Sequence, residues 1–198
     1  DLPTHKNVNG TMTAIDYSVE EVEVAGYTSS VEALENGVIT VTNSQETTSV
    51  TVNKSWANAD GSDTWPEGVT VEIQLTADGN PVSGKTTTLD ADHPSYEFTS
   101  LPKYKVVNGT KTAIVYGVSE VQVAGYECVA DAIENGVINV TNTQATKDIT
   151  VAKSWVNADG STSWPTGVTV ELQLTEKVGE GTATAIDGKT ATLNFTQI

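Results

Sequence analysis

The stretch VTVEIQL, residues 69–75, alternates apolar and polar side chains without a break. In an extended chain Val69, Val71, Ile73 and Leu75 fall on one side and Thr70, Glu72 and Gln74 on the other. A period of two is the mark of a strand with one face buried. Turn chemistry brackets it: NADG at 58–61 before it and ADGNP at 77–81 after it. Moving outward, further strands are expected at 49–56, 85–89, 95–99, 112–121 and 137–143, with turns at NGT (108–110) and ENG (134–136). No stretch keeps a helical period of 3.6. Many short strands with frequent turns predict an all-β fold built as a β-sandwich.

The same strand returns as VTVELQL at 168–174, inside a longer repeat. NKSWANADGSDTWPEGVTVEIQL begins at Asn53 and AKSWVNADGSTSWPTGVTVELQL at Ala152, an offset of 99 (152 − 53 = 99). VNGTMTAIDYSVEEVEVAGY at Val8 and VNGTKTAIVYGVSEVQVAGY at Val107 keep that offset, as do ENGVITVTNSQ at Glu35 and ENGVINVTNTQ at Glu134. A fixed long period means an array of modules, which favours a structural or adhesive role over one catalytic centre. Residues 47–145 make one complete unit, 1–46 the back half of a unit, and 146–198 the front half of a further one. The copies differ mainly where TADGNPVSGK (76–85) becomes TEKVGEGTATAIDGK (175–189), a change expected in a surface hairpin.

The net charge of −16, from 10 basic and 26 acidic residues, argues against nucleic acid and anionic membranes as partners. Only 18% of residues are charged, so the chain is not an acidic disordered tail. Cys128 is the single cysteine, which excludes an intrachain disulfide. No apolar run reaches the roughly 20 residues that span a bilayer, and no signal peptide is present; in a secreted parent such segments would lie outside this stretch.

Strand parity places three polar residues on apolar faces. Lys54 shares a face with Val50, Val52 and Trp56; Asn142 with Ile138 and Val140; Glu120 with Tyr116 and Val118. The other copy repeats the parity with Lys153, Asn43 and Glu21. An unpaired buried charge is expensive, so these groups should meet. Three readings follow. The residues sit at strand ends and reach solvent, or they form a buried Lys–Glu ion pair with a hydrogen-bonded Asn. The third is covalent. Burial lowers a lysine pKa and raises a glutamate pKa, so a proton passes between them. The neutral amine then attacks the Asn amide, with the Glu as acid–base partner, and ammonia leaves. Such a reaction runs once and is not enzymatic turnover.

At these residues the chain resembles the B-type repeat domains of the collagen adhesin family (CnaB domains) of Gram-positive surface adhesins and pilins. KSWANADGS…WPEGVTVEIQLTADG resembles the opening of such a domain, and FTSLPKY, YGVSEVQVAGY and VTNTQ its closing half. The resemblance implies tandem inverse-immunoglobulin-like β-sandwiches and a Lys–Asn isopeptide bond between the first and last strands, promoted by a Glu. Carried over by position, Lys54 is the nucleophile, Asn142 the acceptor and Glu120 the catalyst in the complete unit. In the divided unit Lys153 pairs with Asn43, with Glu21 as catalyst. NFTQI at 194–198 would run into DLPTHKNVNGT at the start as EFTSLPKYKVVNGT does internally, so a neighbouring copy is expected to complete that unit, with a swapped or cyclically closed arrangement, or further chain, as the alternatives.

The resemblance implies an extracellular, cell-surface location and a stalk role, with a pilus shaft subunit or a host-ligand-binding module as alternatives. The partners are then neighbouring copies and, for a binding module, a host matrix protein or glycan. No cofactor is expected. NADGSD at 58–63 misses the spacing of a calcium loop and reads as a turn. NGT at 9–11 and 108–110 matches a glycosylation acceptor but also reads as a turn. His5 and His93 are expected at the surface, Trp65 and Trp164 in core or rim packing, and Cys128 on a half-buried strand position.

Overall fold

A computed structural model describes residues 1–194. The chain divides into two compact units, Asp1–Thr146 and a second beginning at Lys147. Every regular element among the described residues is a strand. The first segment carries β1 (His5–Val8), β2 (Thr11–Ala14), β3 (Tyr27–Val31) and β4 (Val41–Gln45). The complete repeat begins with β5 (Thr47–Ala57), β6 (Val71–Ala77), β7 (Asn80–Leu89), β8 (Ser95–Pro102) and β9 (Tyr104–Val107). It continues through β10 (Thr110–Ala113), β11 (Tyr116–Glu120), β12 (Tyr126–Ala130) and β13 (Val137–Gln144). The second unit holds β14 (Val170–Glu176) and β15 (Thr184–Leu193).

The complete repeat is a sandwich of a four-stranded sheet, β12-β13-β5-β8, and a three-stranded sheet, β11-β6-β7. Its core takes alternate residues from both: Val50, Val52 and Trp56 of β5, Val71, Ile73 and Leu75 of β6, and Ile138 and Val140 of β13. Phe98, Leu101, Leu89 and Tyr116 complete it. The period of two in the sequence is thus the two-layer packing of the fold. β5 and β13, the first and last strands of the repeat, lie side by side and parallel, with Lys54 opposite Val140 and Trp56 opposite Asn142. Parallel neighbours need a long crossover, which here is the whole intervening module.

The β6–β7 hairpin turns on Asp78 and Gly79, both at positive φ (50° and 78°), the conformation a tight two-residue turn requires. Gln74 then fills the irregularity in this pair. Its Nε2 donates to the carbonyls of Leu75, Val82 and Lys85. Gln173 does the same in β14–β15 through Leu174, Ile186 and Lys189. The extra residues of the second copy therefore lengthen the loop between β14 and β15 and leave the ladder near Gln173 unchanged.

Three expectations need correction. The strand expected at 112–121 is two strands, β10 and β11, because the chain changes partners at Ile114–Val115: β10 pairs with β9 and β11 with β6. Asp78 Oδ1 accepts the Val115 N–H at this break (3.2 Å). The strand β9 has no counterpart in the sequence expectations, and of β12 they place only Cys128 on a strand. Residues 149–155 and 17–21, expected to copy β5 and β11, form no strand. In the complete repeat β5 is held by β13 and β11 by β6. The counterparts of β13 and β6 are β4 and β14, each in the other unit, so neither segment has that ladder within its own unit.

Candidate functional site

Lys54, Glu120 and Asn142 converge between the two sheets. β5 and β13 bring Lys54 and Asn142 onto the core face of one sheet; Glu120, at the end of β11, comes from the other. Asn142 is fully buried, and the side chains of Lys54 and Glu120 are 0% and 1% exposed. Asn142 Nδ2 donates to Glu120 Oε1 at 2.6 Å. Lys54 Nζ lies 3.8 Å from Glu120 Oε2 and donates to the carbonyls of Ser55 (2.8 Å) and Val140 (3.5 Å). It also sits 4.5 Å from the centre of the Trp56 ring. That indole is packed edge-on by Trp65 and Tyr126, at 5.3 and 4.8 Å, while the Tyr126 hydroxyl donates to Asn58 Oδ1.

Two oxygens of this cluster, Glu120 Oε2 and Asn142 Oδ1, are buried with no hydrogen-bond partner. A buried polar atom without a partner costs about 1–3 kcal/mol and needs a reason. Burial pushes the Lys54 amine below its ordinary value, and the Glu120 carboxylate only partly restores it. In Asn142→Ala the neighbouring amide is gone and Lys54 is a free amine. Its unfolded chain then binds more protons than the folded one between the lowered value and the ordinary 10.5. The cost is complete below that window and gone above it, so the variant should gain stability as pH rises through it. Denaturant unfolding across pH, with Asn142→Ala/Lys54→Met as reference, checks this; identical slopes for the two contradict it.

The other copy keeps part of the constellation. Asn43 Nδ2 donates to Glu21 Oε1 at 2.7 Å, and Ser29 Oγ donates to Glu21 Oε2 at 2.6 Å. The Ser29 hydroxyl, and after it the Asn43 amide, hold the Glu21 carboxyl below its usual range. All three residues are exposed, whereas Asn142 and the Glu120 side chain, the counterparts of Asn43 and Glu21, are buried. Lys153, in the second unit, is exposed, donates to the Ser154 carbonyl and lies 4.0 Å from the centre of the Trp155 ring.

Cys128 is exposed, not half-buried as expected; it lies on β12, an edge strand of its sheet among the described residues. Its register partner is nevertheless Asn142. Burial, and next the neighbouring Glu120 charge, push its thiol above the ordinary range. Sequence reasoning placed Cys128 on a strand but gave neither it nor its counterpart Ser29 a part in the site, because the bounds and register of β12 were not read. The signal available was the shared offset of positions 29 and 128 from their Asn partners. His5 and His93 are exposed, Trp65 is half-buried against the core, and Trp164 is buried. The NADGSD segment is a turn: Asn58 Nδ2 reaches Ser62 Oγ and the Thr64 carbonyl, and Asp60 Oδ1 accepts the Ser62 N–H. No cluster of His, Cys, Asp or Glu among the described residues is arranged to hold a metal ion.

The fold and this cluster define a class of all-β repeat modules with a polar triad between their sheets. The chain belongs to the Cna protein B-type domain family, which it matches over residues 1–44 and 50–143. Among solved structures it is similar to a single B repeat unit of the collagen-binding surface protein of Staphylococcus aureus. There the identity is 24%, with 74% of this chain and 72% of that one covered and a TM-score of 0.41. A two-repeat structure of that protein is 30% identical over 93% of this chain and 46% of its own length, at a TM-score of 0.39. A pilus backbone of Streptococcus pneumoniae is 25% identical over 48% of this chain and 20% of its own length, at a TM-score of 0.37. The chain thus spans about half of the two-repeat structure and a fifth of the pilus backbone. No curated protein matches the sequence significantly.

Proposed function

We propose that this chain is part of the stalk of a Gram-positive cell-surface adhesin, its modules stapled by Lys–Asn isopeptide bonds. Membership of the B-type domain family supports the stalk role. One observation carries the staple: a lysine, a glutamate and an asparagine meet, buried, between the first and last strands, and leave two oxygens unsatisfied. Lys54 passes a proton to Glu120 Oε2, and the neutral amine attacks the Asn142 side-chain carbonyl carbon. The protonated Glu120 donates to the amide oxygen once the amide has turned about its last torsion; as the adduct collapses, a proton of the attacking nitrogen passes to the leaving nitrogen and Glu120 recovers its own, ending neutral. One C–N bond forms, one breaks, and ammonia departs. The product needs neither the buried charges nor the unpartnered carboxylate oxygen.

The closed loop, residues 54–142, contains 89 residues. Tension entering at β5 then leaves at the adjacent β13 without crossing the sandwich. Pulled from its ends, the chain should never release the roughly 300 Å of contour that 89 residues would add. A step of that length in single-molecule extension contradicts the staple.

The divided unit is completed in this proposal by a second copy. Val52 and Val140 are 0% exposed in the complete repeat, whereas their counterparts Val151 and Val41 are 59% and 40% exposed. An apolar groove in the second unit is lined by Ile149, Val151, Leu172, Leu174 and Leu193, and one in the first by Leu2, Ile15, Tyr17 and Ile39. Their counterparts pack against one another inside the complete sandwich. Residues 1–46 of one copy therefore supply what residues 147–194 of another lack, with Lys153, Glu21 and Asn43 as the triad. The NFTQI segment that would join them lies mostly outside the described residues.

A further inference from the structure

We propose that the residue facing the outer oxygen of the catalytic glutamate, Cys128 in the complete repeat and Ser29 in the other copy, is a positioning residue that sets how readily that glutamate takes the lysine proton. This rests on the isopeptide reading above and adds a residue to it. The two positions are equivalent by the repeat offset (128 − 29 = 99) and by register, Cys128 opposite Asn142 and Ser29 opposite Asn43. The inner oxygen is treated alike in both copies, accepting the Asn amide at 2.6 and 2.7 Å. The outer oxygen is not. Glu21 Oε2 accepts a 2.6 Å hydrogen bond from the Ser29 hydroxyl, whereas Glu120 Oε2 has no partner and faces Lys54 at 3.8 Å.

A hydroxyl is a strong donor and a thiol a weak one. A strong donor on the outer oxygen stabilises the carboxylate and opposes its protonation. With a thiol there, the oxygen is left for the lysine proton. Around the Glu120 carboxylate, on β11, stand Lys54 from β5, Asn142 from β13 and, by its register opposite Asn142, Cys128 from β12. The thiol stays protonated, because burial and the adjacent Glu120 charge both disfavour the thiolate. It takes no covalent part.

The populated ion pair and the reactive neutral pair hold the same number of protons. Their ratio is set by the difference between the two pKa values, and each unit removed from the glutamate lowers the reactive fraction about tenfold. The glutamate also sets the acid limb of the rate profile. A stronger donor at position 128 therefore slows the plateau and moves the acid limb to lower pH together.

The test uses the full 198-residue chain with a photocaged lysine at position 54, released by light, and follows loss of ammonia by intact mass across pH. Cys128→Ser should slow the plateau severalfold and shift the acid limb to lower pH, whereas Cys128→Ala should not shift it downward. Identical profiles for wild type and Cys128→Ser overturn the inference, as does an equal slowing of both variants with an unmoved limb. A wild-type chain that loses no ammonia after uncaging overturns the isopeptide reading instead.

Discussion

Glu120→Ala leaves the complete repeat at its full calculated mass and lowers its stability by at least about 4 kcal/mol. Two effects combine. Without the carboxylate nothing accepts the Lys54 proton, so the bond does not form, and the unfolded chain regains the freedom that closing an 89-residue loop would have removed. By the chain-entropy relation used for disulfides, that closure contributes about 4–5 kcal/mol. The variant also leaves a buried ammonium without its counter-charge, a loss of about 3–5 kcal/mol where the lysine cannot neutralise. Glu120→Gln separates chemistry from packing. It keeps the size and an acceptor for the Asn142 amide, yet it cannot carry the proton. It should match the alanine variant in mass and lose less stability. Intact mass and denaturant unfolding read both effects. A Glu120→Ala chain in which Lys54 is still joined to Asn142 removes Glu120 from the mechanism.

The second large effect concerns the divided unit. The purified chain should form a ladder of multimers that survives boiling in detergent, each step joined by Lys153 of one copy and Asn43 of the next. Such a contact would be head-to-tail and would propagate unless the geometry closed a ring. Lys153→Ala should collapse the ladder to a single-chain band that still lacks one ammonia from the Lys54–Asn142 bond. A wild-type chain that shows only the single-chain band contradicts completion by a second copy. A single-chain species lacking two ammonias identifies closure within one chain and contradicts it equally.

The strands that built the core were legible because their burial is one-sided. β5 from Val50 to Trp56, β6 from Val71 to Leu75 and β13 from Ile138 to Asn142 alternate, and alternation placed Lys54, Glu120 and Asn142 on inner faces, where the structure has their side chains buried. The break between β10 and β11 was not legible. Residues 112–121 are extended throughout their length in sequence terms, and only the change of partner at Val115 divides them. β12 was legible only at Cys128. YECVA carries too little alternation for its bounds to stand out, so the pairing of Cys128 with Asn142 was not read. The strands expected at 17–21 and 149–155 failed differently. Their sequences match β11 and β5, but a strand is a pairing and not a property of one segment. Ile149 and Val151 therefore stay 56% and 59% exposed, although Val50 and Val52 at the same repeat positions are fully buried.

The central claim is that the Lys54, Glu120 and Asn142 cluster is spent in forming a covalent bond. Intact mass of the folded wild-type chain, followed by sequencing of the branched peptide after proteolysis, tests it most directly. The account predicts a mass short by one ammonia for each completed bond, with Lys54 joined to Asn142. A full calculated mass, with both residues recovered on separate linear peptides, would contradict it.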